Sequence, residues 1–189
     1  MPRLFICVEV TELSILKEVG QILRQLSLPG VKPVKPNQLH ITLKFIGETP
    51  DESISSIKSG LGKVEFTPFS ISLNGLGCFP NLNYIRVVWI GIQVGQSDLT
   101  NLANQVRAAI DTLGFPREKR PFSPHLTLAR VKKLGSSEKQ TIHTLIQDNQ
   151  GTSFGNQIID AVILKKSTLT PKGPVYEDIT TVKGIKTKE

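Results

Sequence analysis

The chain is poor in cysteine. Cys7 and Cys78 are its only two among 189 residues, too few for a disulfide framework and at no metal-ligand spacing. A reducing compartment follows as the expectation, and the cytoplasm is the simplest one. Long hydrophobic runs are missing as well. "LFICV" at 4–8 is among the longest, far below the roughly 20 apolar residues that a membrane-spanning helix needs. The same run does not read as a signal peptide, because Glu9 interrupts it and no small-residue cleavage site follows. There is no His-x-x-x-His or Cys-x-x-Cys pair, no Gly-x-Ser-x-Gly elbow and no Walker-type phosphate loop. We therefore expect no metal, no cofactor and no membrane partner. Hydrophobic residues at 39% and charged residues at 21% suit a globular domain of this length.

Histidine is scarce too, and its placement is informative. Of three histidines, two open the same phrase: "HITL" at 40–43 and "HLTL" at 125–128. On a strand, residues i and i+2 share a face. His40 then lies beside Thr42 and His125 beside Thr127, while Ile41, Leu43, Leu126 and Leu128 point to a core. Chance on two strands would explain one such phrase. Two, in matched surroundings, point to a functional pair. The third, His143, falls in a helical pattern and is expected at the surface.

The surroundings match because the chain reads as two similar halves. The first runs strand ("RLFICVEV", 3–10), helix (about 12–26, Thr11 as N-cap), Pro-rich loop ("LPGVKPVKPNQ") and strand ("LHITLKFIG"). A capping box, "TPDE" at 49–52, then opens a helix with Ile54, Ile57 and Leu61, before a strand "FSISLNGL" at 69–76. The second half repeats the order. It has a strand at 84–93, a helix capped by Ser97, the loop "FPREKRPFSP", the strand "HLTLARV", a capping box "SEKQ" at 137–140 and a strand "IIDAVILKKS" at 158–167. "VYEDITTV" at 175–182 adds one more strand. Pro36 and Pro121 each stand four residues before a motif histidine, preceded by Lys35 and Arg120. The expected fold class is α+β: two pseudo-symmetric lobes of antiparallel sheet with helices outside and a cleft between. Residues 1–189 make a single domain, its motif halves about 1–80 and 81–183, with a basic tail at 184–189. "GLG" at 75–77 reads as a bend or a close backbone approach, and Cys7 as core.

Charge adds a partner class. Lysine and arginine exceed aspartate and glutamate by 23 to 16, a formal +7, which favours polyanions through long-range steering. Lys32 and Lys35 lead into the first motif, and Arg117, Lys119 and Arg120 into the second, with Lys44, Arg130, Lys132 and Lys133 following. The basic loops are expected to flank the mouth of the cleft. Imidazoles titrate near neutral pH, so one can be neutral while the other is protonated, the requirement for a general base and a general acid. Threonine hydroxyls can donate hydrogen bonds to anionic oxygen.

With both motifs in view, the chain resembles the 2H phosphoesterases, which carry two His-x-Thr-x motifs on related lobes. Within them, "RLFICVEV", "HITLKFIGE" and "PFSPHLTLARV" look like the RNA 2′,3′-cyclic phosphodiesterases, historically called 2′-5′ RNA ligases. The likeness spans about residue 2 to Tyr176. It implies metal-independent opening of a ribose 2′,3′-cyclic phosphate to a 2′-phosphomonoester, with 2′-5′ ligation as the reverse. It makes His40 the general acid and His125 the general base, and gives Thr42 and Thr127 the non-bridging phosphate oxygens. The partner implied is RNA with a cyclic phosphate end, tRNA fragments among the candidates, and no obligate protein partner. A 2′-5′ oligonucleotide phosphodiesterase and an RNA-binding module without turnover are the competing readings. Lys44, by strand alternation, shares the face of His40 and Thr42. Arg130 points away unless a bulge re-aims it.

Overall fold

A computed structural model describes residues 2–118, 120–171 and 173–185. Lys119 and the last four residues of the basic tail lie outside that range. The strands are β1 (Arg3–Glu9), β2 (Val31–Pro33), β3 (His40–Glu48), β4 (Phe69–Asn81), β5 (Tyr84–Ile92), β6 (His125–Val131), β7 (Ser153–Ile159), β8 (Ala161–Thr170) and β9 (Gly173–Lys183). The helices are α1 (Leu13–Gln25), α2 (Ile54–Leu61), α3 (Gln96–Asp111) and α4 (Ser136–Asp148). Two antiparallel sheets result. One has the order β3-β1-β8-β9 and the other β2-β6-β5-β4-β7. The α+β architecture expected from the sequence is present.

The sequence halves exchange parts between the sheets. β1 and β3 build the first sheet together with β8 from the second half. β5 and β6 build the second together with β4 from the first half. The helices cross over as well: α1 follows β1 but packs on β7 of the second sheet, and α3 follows β5 but packs on β3 of the first. α2 rests on α3, and α4 on β4. The helices commit an apolar face because their buried residues recur at helical spacing, as with Ile15, Val19, Ile22 and Leu23 on α1.

Several local expectations change. "IIDAVILKKS" is two strands, since Asp160 separates β7 in one sheet from β8 in the other. No expected capping side chain caps its helix. α1 starts after Glu12 rather than Thr11, α3 after Gly95 in a left-handed turn (φ 74) and α4 after Gly135. The "TPDE" box does not form; Thr49 is fully buried and donates to the Gly47 carbonyl, and a 3₁₀ turn at Asp51–Ser53 leads into α2. The turn that leads into α1 is instead held by another strand. Gln157 of β7 accepts from the backbone N–H groups of Thr11 (2.7 Å) and Glu12 (3.0 Å) and donates to the Glu9 carbonyl (2.6 Å). One amide thus ties the end of β1 to the second sheet.

Replacing Gln157 with alanine should therefore act like the loss of a helix cap, lowering stability by about 1 kcal/mol. Urea unfolding should show a lower midpoint at unchanged slope. An unchanged midpoint would mean that this bridge carries no stability.

Candidate functional site

β3 and β6 run beside each other where the two sheets meet, and both carry the His-x-Thr phrase at their start. Register makes the pseudo-symmetry explicit. His40 stands opposite Glu9 and Thr42 opposite Cys7 on β1, while His125 stands opposite Gly91 and Thr127 opposite Trp89 on β5. Thr42, Thr127 and His125 line one cavity of about 1020 Å³ that draws residues from both sheets. His40 lines a smaller pocket of about 310 Å³ with Glu9, Lys35, Gln38, Lys165 and Tyr176. The hydroxyls and His125 thus come together in one space. His40 stands two residues before Thr42, on the same strand face.

Both imidazoles are held the same way. His40 Nδ1 lies 2.7 Å from the Gln38 carbonyl, and His125 Nδ1 lies 2.7 Å from the Ser123 carbonyl. A carbonyl can only accept, so each Nδ1 carries a proton and donates it. That leaves each Nε2 as the atom that gains or loses a proton. The ring planes are set by aromatic neighbours: Phe5 and Tyr176 at 5.0 and 5.5 Å from His40, and Phe79 at 5.0 Å from His125. Gly77 is required here because Trp89 lies across it, leaving no room for a Cβ. The close approach read from "GLG" is present, and Gly75 next to it has φ 71 at a register shift.

After each threonine the two-residue period breaks. A bulge at Leu43 puts two β3 residues against one on β1, and a bulge at Leu128 does the same between β6 and β5. Lys44 therefore turns away from the histidine face, against the expectation from alternation. It is fully buried, its Nζ donating to Asp111 (2.8 Å) and to the Pro116 carbonyl (3.3 Å). Phe45 takes the outward position instead. The matching bulge on β6 brings Arg130 into the cavity. Arg107 of α3 braces this region, pairing with Glu118 and donating to the Leu43 and Arg120 carbonyls.

The symmetry ends at the neighbours. Both imidazoles have aromatic neighbours, but His40 borders an ionic cluster as well. Lys165 of β8 is 6% exposed and sits between Glu9 (2.7 Å) and Asp178. Its counterpart in the second sheet is Phe79, placed alike against the middle strand. Burial pulls the Lys165 ammonium's pKa down, but hydrogen bonds to Asp178 and Glu9 outweigh it and leave the pKa raised. Burial is also the leading cause that lowers both imidazoles, against the raising effect of their carbonyl bonds. For His40, Lys165 and Arg130 add to the lowering and Glu9 opposes it; for His125, Arg130 adds to it. Burial pushes the Cys7 thiol far up, so it stays protonated and is no nucleophile. Glu9, Lys165 and Asp178 were not legible in the sequence, because they meet only through strand pairing.

The remaining sequence candidates fall as follows. Lys35 and Arg120 line the two pockets, Lys32 is exposed on β2 opposite Arg130, and Arg117 leans towards Asp111 at 4.0 Å. His143 is half-buried rather than on the surface, its Nε2 2.7 Å from the Leu82 carbonyl. Among the described residues no helix is long and apolar enough to cross a membrane.

The family model described as LigT like Phosphoesterase matches twice, over residues 10–89 and 90–176. The chain belongs to the LigT-like phosphoesterase family. Its duplication is thereby visible as two matches in tandem. A relative from Archaeoglobus fulgidus named RNA 2′,3′-cyclic phosphodiesterase is 43% identical over 94% of this chain and 97% of its own. Another of that name, from Methanocaldococcus jannaschii, is 36% identical over 94% and 98%. A crystal structure from Thermus thermophilus superposes with a TM-score of 0.80 at 29% identity, covering 96% of this chain and 97% of that one. Escherichia coli LigT shares the fold, with a TM-score of 0.78 at 24% identity over 97% and 98%. Like the Archaeoglobus and Methanocaldococcus relatives, this LigT-like chain is a phosphodiesterase.

The cluster beside His40 makes a pH signature. In a profile of kcat/KM for a phosphodiester, one limb should belong to His40 and one to His125. Glu9→Gln removes a carboxylate that raises His40, so the His40 limb should move to lower pH. Lys165→Met removes a cation that lowers it, so the same limb should move to higher pH. Shifts in one direction for both variants, or none, would show that the cluster does not act on His40.

Proposed function

We propose that this LigT-like enzyme opens RNA or nucleoside 2′,3′-cyclic phosphates to 2′-phosphomonoesters by two-histidine acid–base catalysis. The observation that carries the reading is the matched pair of imidazoles, each with Nδ1–H fixed on the carbonyl two residues upstream and Nε2 left to exchange protons. The relatives' name supplies the substrate class. In the proposed step a water oxygen attacks phosphorus while the bond from phosphorus to the 3′-oxygen breaks. His125 Nε2 takes the water proton as general base, and His40 Nε2–H gives its proton to the departing 3′-oxygen. Thr42 and Thr127 donate to the non-bridging oxygens, and Arg130 adds positive charge where the phosphate sits. No resident metal is assigned a part. Run in the same direction with a ribose 5′-hydroxyl in place of water, the same atoms would form a 2′-5′ linkage and release the 3′-hydroxyl.

The order of roles rests on the family resemblance, since burial lowers both imidazoles. A general base must be neutral when water arrives, and His125 lies among Phe79 and Trp89, where burial disfavours charge. A general acid must hold a proton, and at His40 the Gln38 carbonyl and Glu9 across the strand pair work against the lowering by burial, Lys165 and Arg130. The arriving phosphate anion favours the protonated form of the acid. The net positive charge of +7 fits an RNA end as partner. Unpaired thiols at Cys7 and Cys78 suit a cytoplasmic setting. We take the whole chain as one catalytic unit, since each half supplies a strand to the other's sheet.

The test is hydrolysis of 2′,3′-cyclic AMP in excess EDTA, with the products separated by chromatography. The expected product is the 2′-phosphate alone, at an undiminished rate. His40→Ala or His125→Ala should each lower turnover roughly 10²–10⁴-fold. Activity lost in EDTA and restored by a divalent ion would overturn the two-histidine mechanism. Tight binding without turnover would favour an RNA-binding module, and cleavage confined to 2′-5′ oligonucleotides the third reading.

A further inference from the structure

The larger cavity, about 1020 Å³, is far bigger than a phosphate or a single ribose requires, and its outer part has a distinct chemistry. Beyond the threonines it is lined by Phe45, Tyr84, Arg86 and Arg120. Phe45 is 56% exposed and Tyr84 is 60% exposed, although both border a cavity where burial was available. Tyr84 is held rather than loose. The Arg86 guanidinium lies 5.4 Å from its ring centroid, and Arg86 Nη1 donates to the Lys132 carbonyl at 3.1 Å. With Arg86 over one face, exposure on that scale leaves the opposite ring face open.

A backbone irregularity puts these side chains there. Phe79 pairs with Val87 and Pro80 with Ile85, so Arg86 is an extra residue on β5. The bulge shifts the alternation: Ile85 joins Val88 and Ile90 in the core, and Tyr84 and Arg86 both border the cavity. Tyr84 lies five residues from Trp89, the partner of Thr127. At the usual strand rise that is at most about 16 Å, since the bulge at Arg86 shortens the run. Tyr84 therefore lies along the cavity from Thr127, towards the nucleotides that precede a terminal phosphate held there. The lining between carries Arg86, Arg107, Arg120 and Arg130 against one carboxylate, Glu118, which Arg107 already engages.

We propose that Tyr84, backed by Arg86, is a stacking subsite for a nucleobase of RNA beyond the terminal nucleotide, with Phe45 as a second apolar wall. An open aromatic face stacks on any base, and a cationic floor follows the phosphates between. The subsite makes an RNA strand, rather than a free cyclic nucleotide, the better ligand. It rests on the RNA reading above for its ligand class, and its test needs no turnover.

The probes are a trinucleotide ending in a 2′-phosphate and adenosine 2′-phosphate, with Kd for each measured by calorimetry. The wild-type chain should bind the trinucleotide more tightly than the mononucleotide. Tyr84→Ala should reduce that preference roughly tenfold, within the range that loss of one base–aromatic stack produces. Tyr84→Phe, which keeps the ring, should restore it. Equal weakening of both ligands by Tyr84→Ala, or a wild-type chain that binds them alike, would overturn the subsite. If the chain opened no cyclic phosphate yet the preference still fell, the hydrolytic reading would fail and the subsite would stand.

Discussion

The cleft depends on one constraint: each half of the chain contributes its third strand to the sheet built by the other half. β8 closes the first sheet onto β1, and β4 closes the second onto β5. With both exchanges made, β3 and β6 run side by side where the sheets meet, and their motif faces border the cavities described above. The helices reinforce the exchange, because α1 and α3 each pack on the sheet opposite to the one they leave. Separating the halves would strip each sheet of two strands and each helix of its apolar bed. A bond such as Gln157 to Glu9 is then part of the same device, holding β1 at the register that sets Glu9 opposite His40.

Symmetry alone would produce two equivalent histidines, which is unhelpful for chemistry that needs an acid and a base. The structure breaks the equivalence with the third strands themselves. β4 brings Phe79 and β8 brings Lys165 to matching places beside the middle strands. Both imidazoles keep aromatic neighbours, and His40 in addition borders a carboxylate–ammonium–carboxylate cluster. The duplicated fold gives its two histidines different surroundings through the residues that each half supplies to the other.

The sequence made the motif strands, their shared faces, the tandem halves and the α+β class legible, because these follow from local periodicity. The strand exchange was not legible. The order β-α-β-α-β is the same whether the last strand stays home or crosses over. Periodicity also failed just beyond Thr42, where the bulge at Leu43 buried Lys44 against Asp111 and turned Phe45 outward. The same device re-aimed Arg130, and a third bulge at Arg86 placed Tyr84. A bulge costs one residue of register and leaves no compositional mark. The helix caps misled for a related reason: Thr11 gave way to a glutamine 146 residues away that reaches the start of α1.

The central claim is that His40 and His125 both work through Nε2, with Nδ1 permanently protonated and bonded to backbone. Nitrogen-15 NMR of the ring nitrogens across a pH titration tests it directly. The account predicts that both rings are the Nδ1–H tautomer when neutral, and that both titrate below the ordinary histidine value near 6.5 in the free protein. Adding a nucleoside 2′-phosphate should raise at least one of the two. An Nε2–H tautomer at either ring, or a free-protein titration at or above the ordinary value, would contradict it.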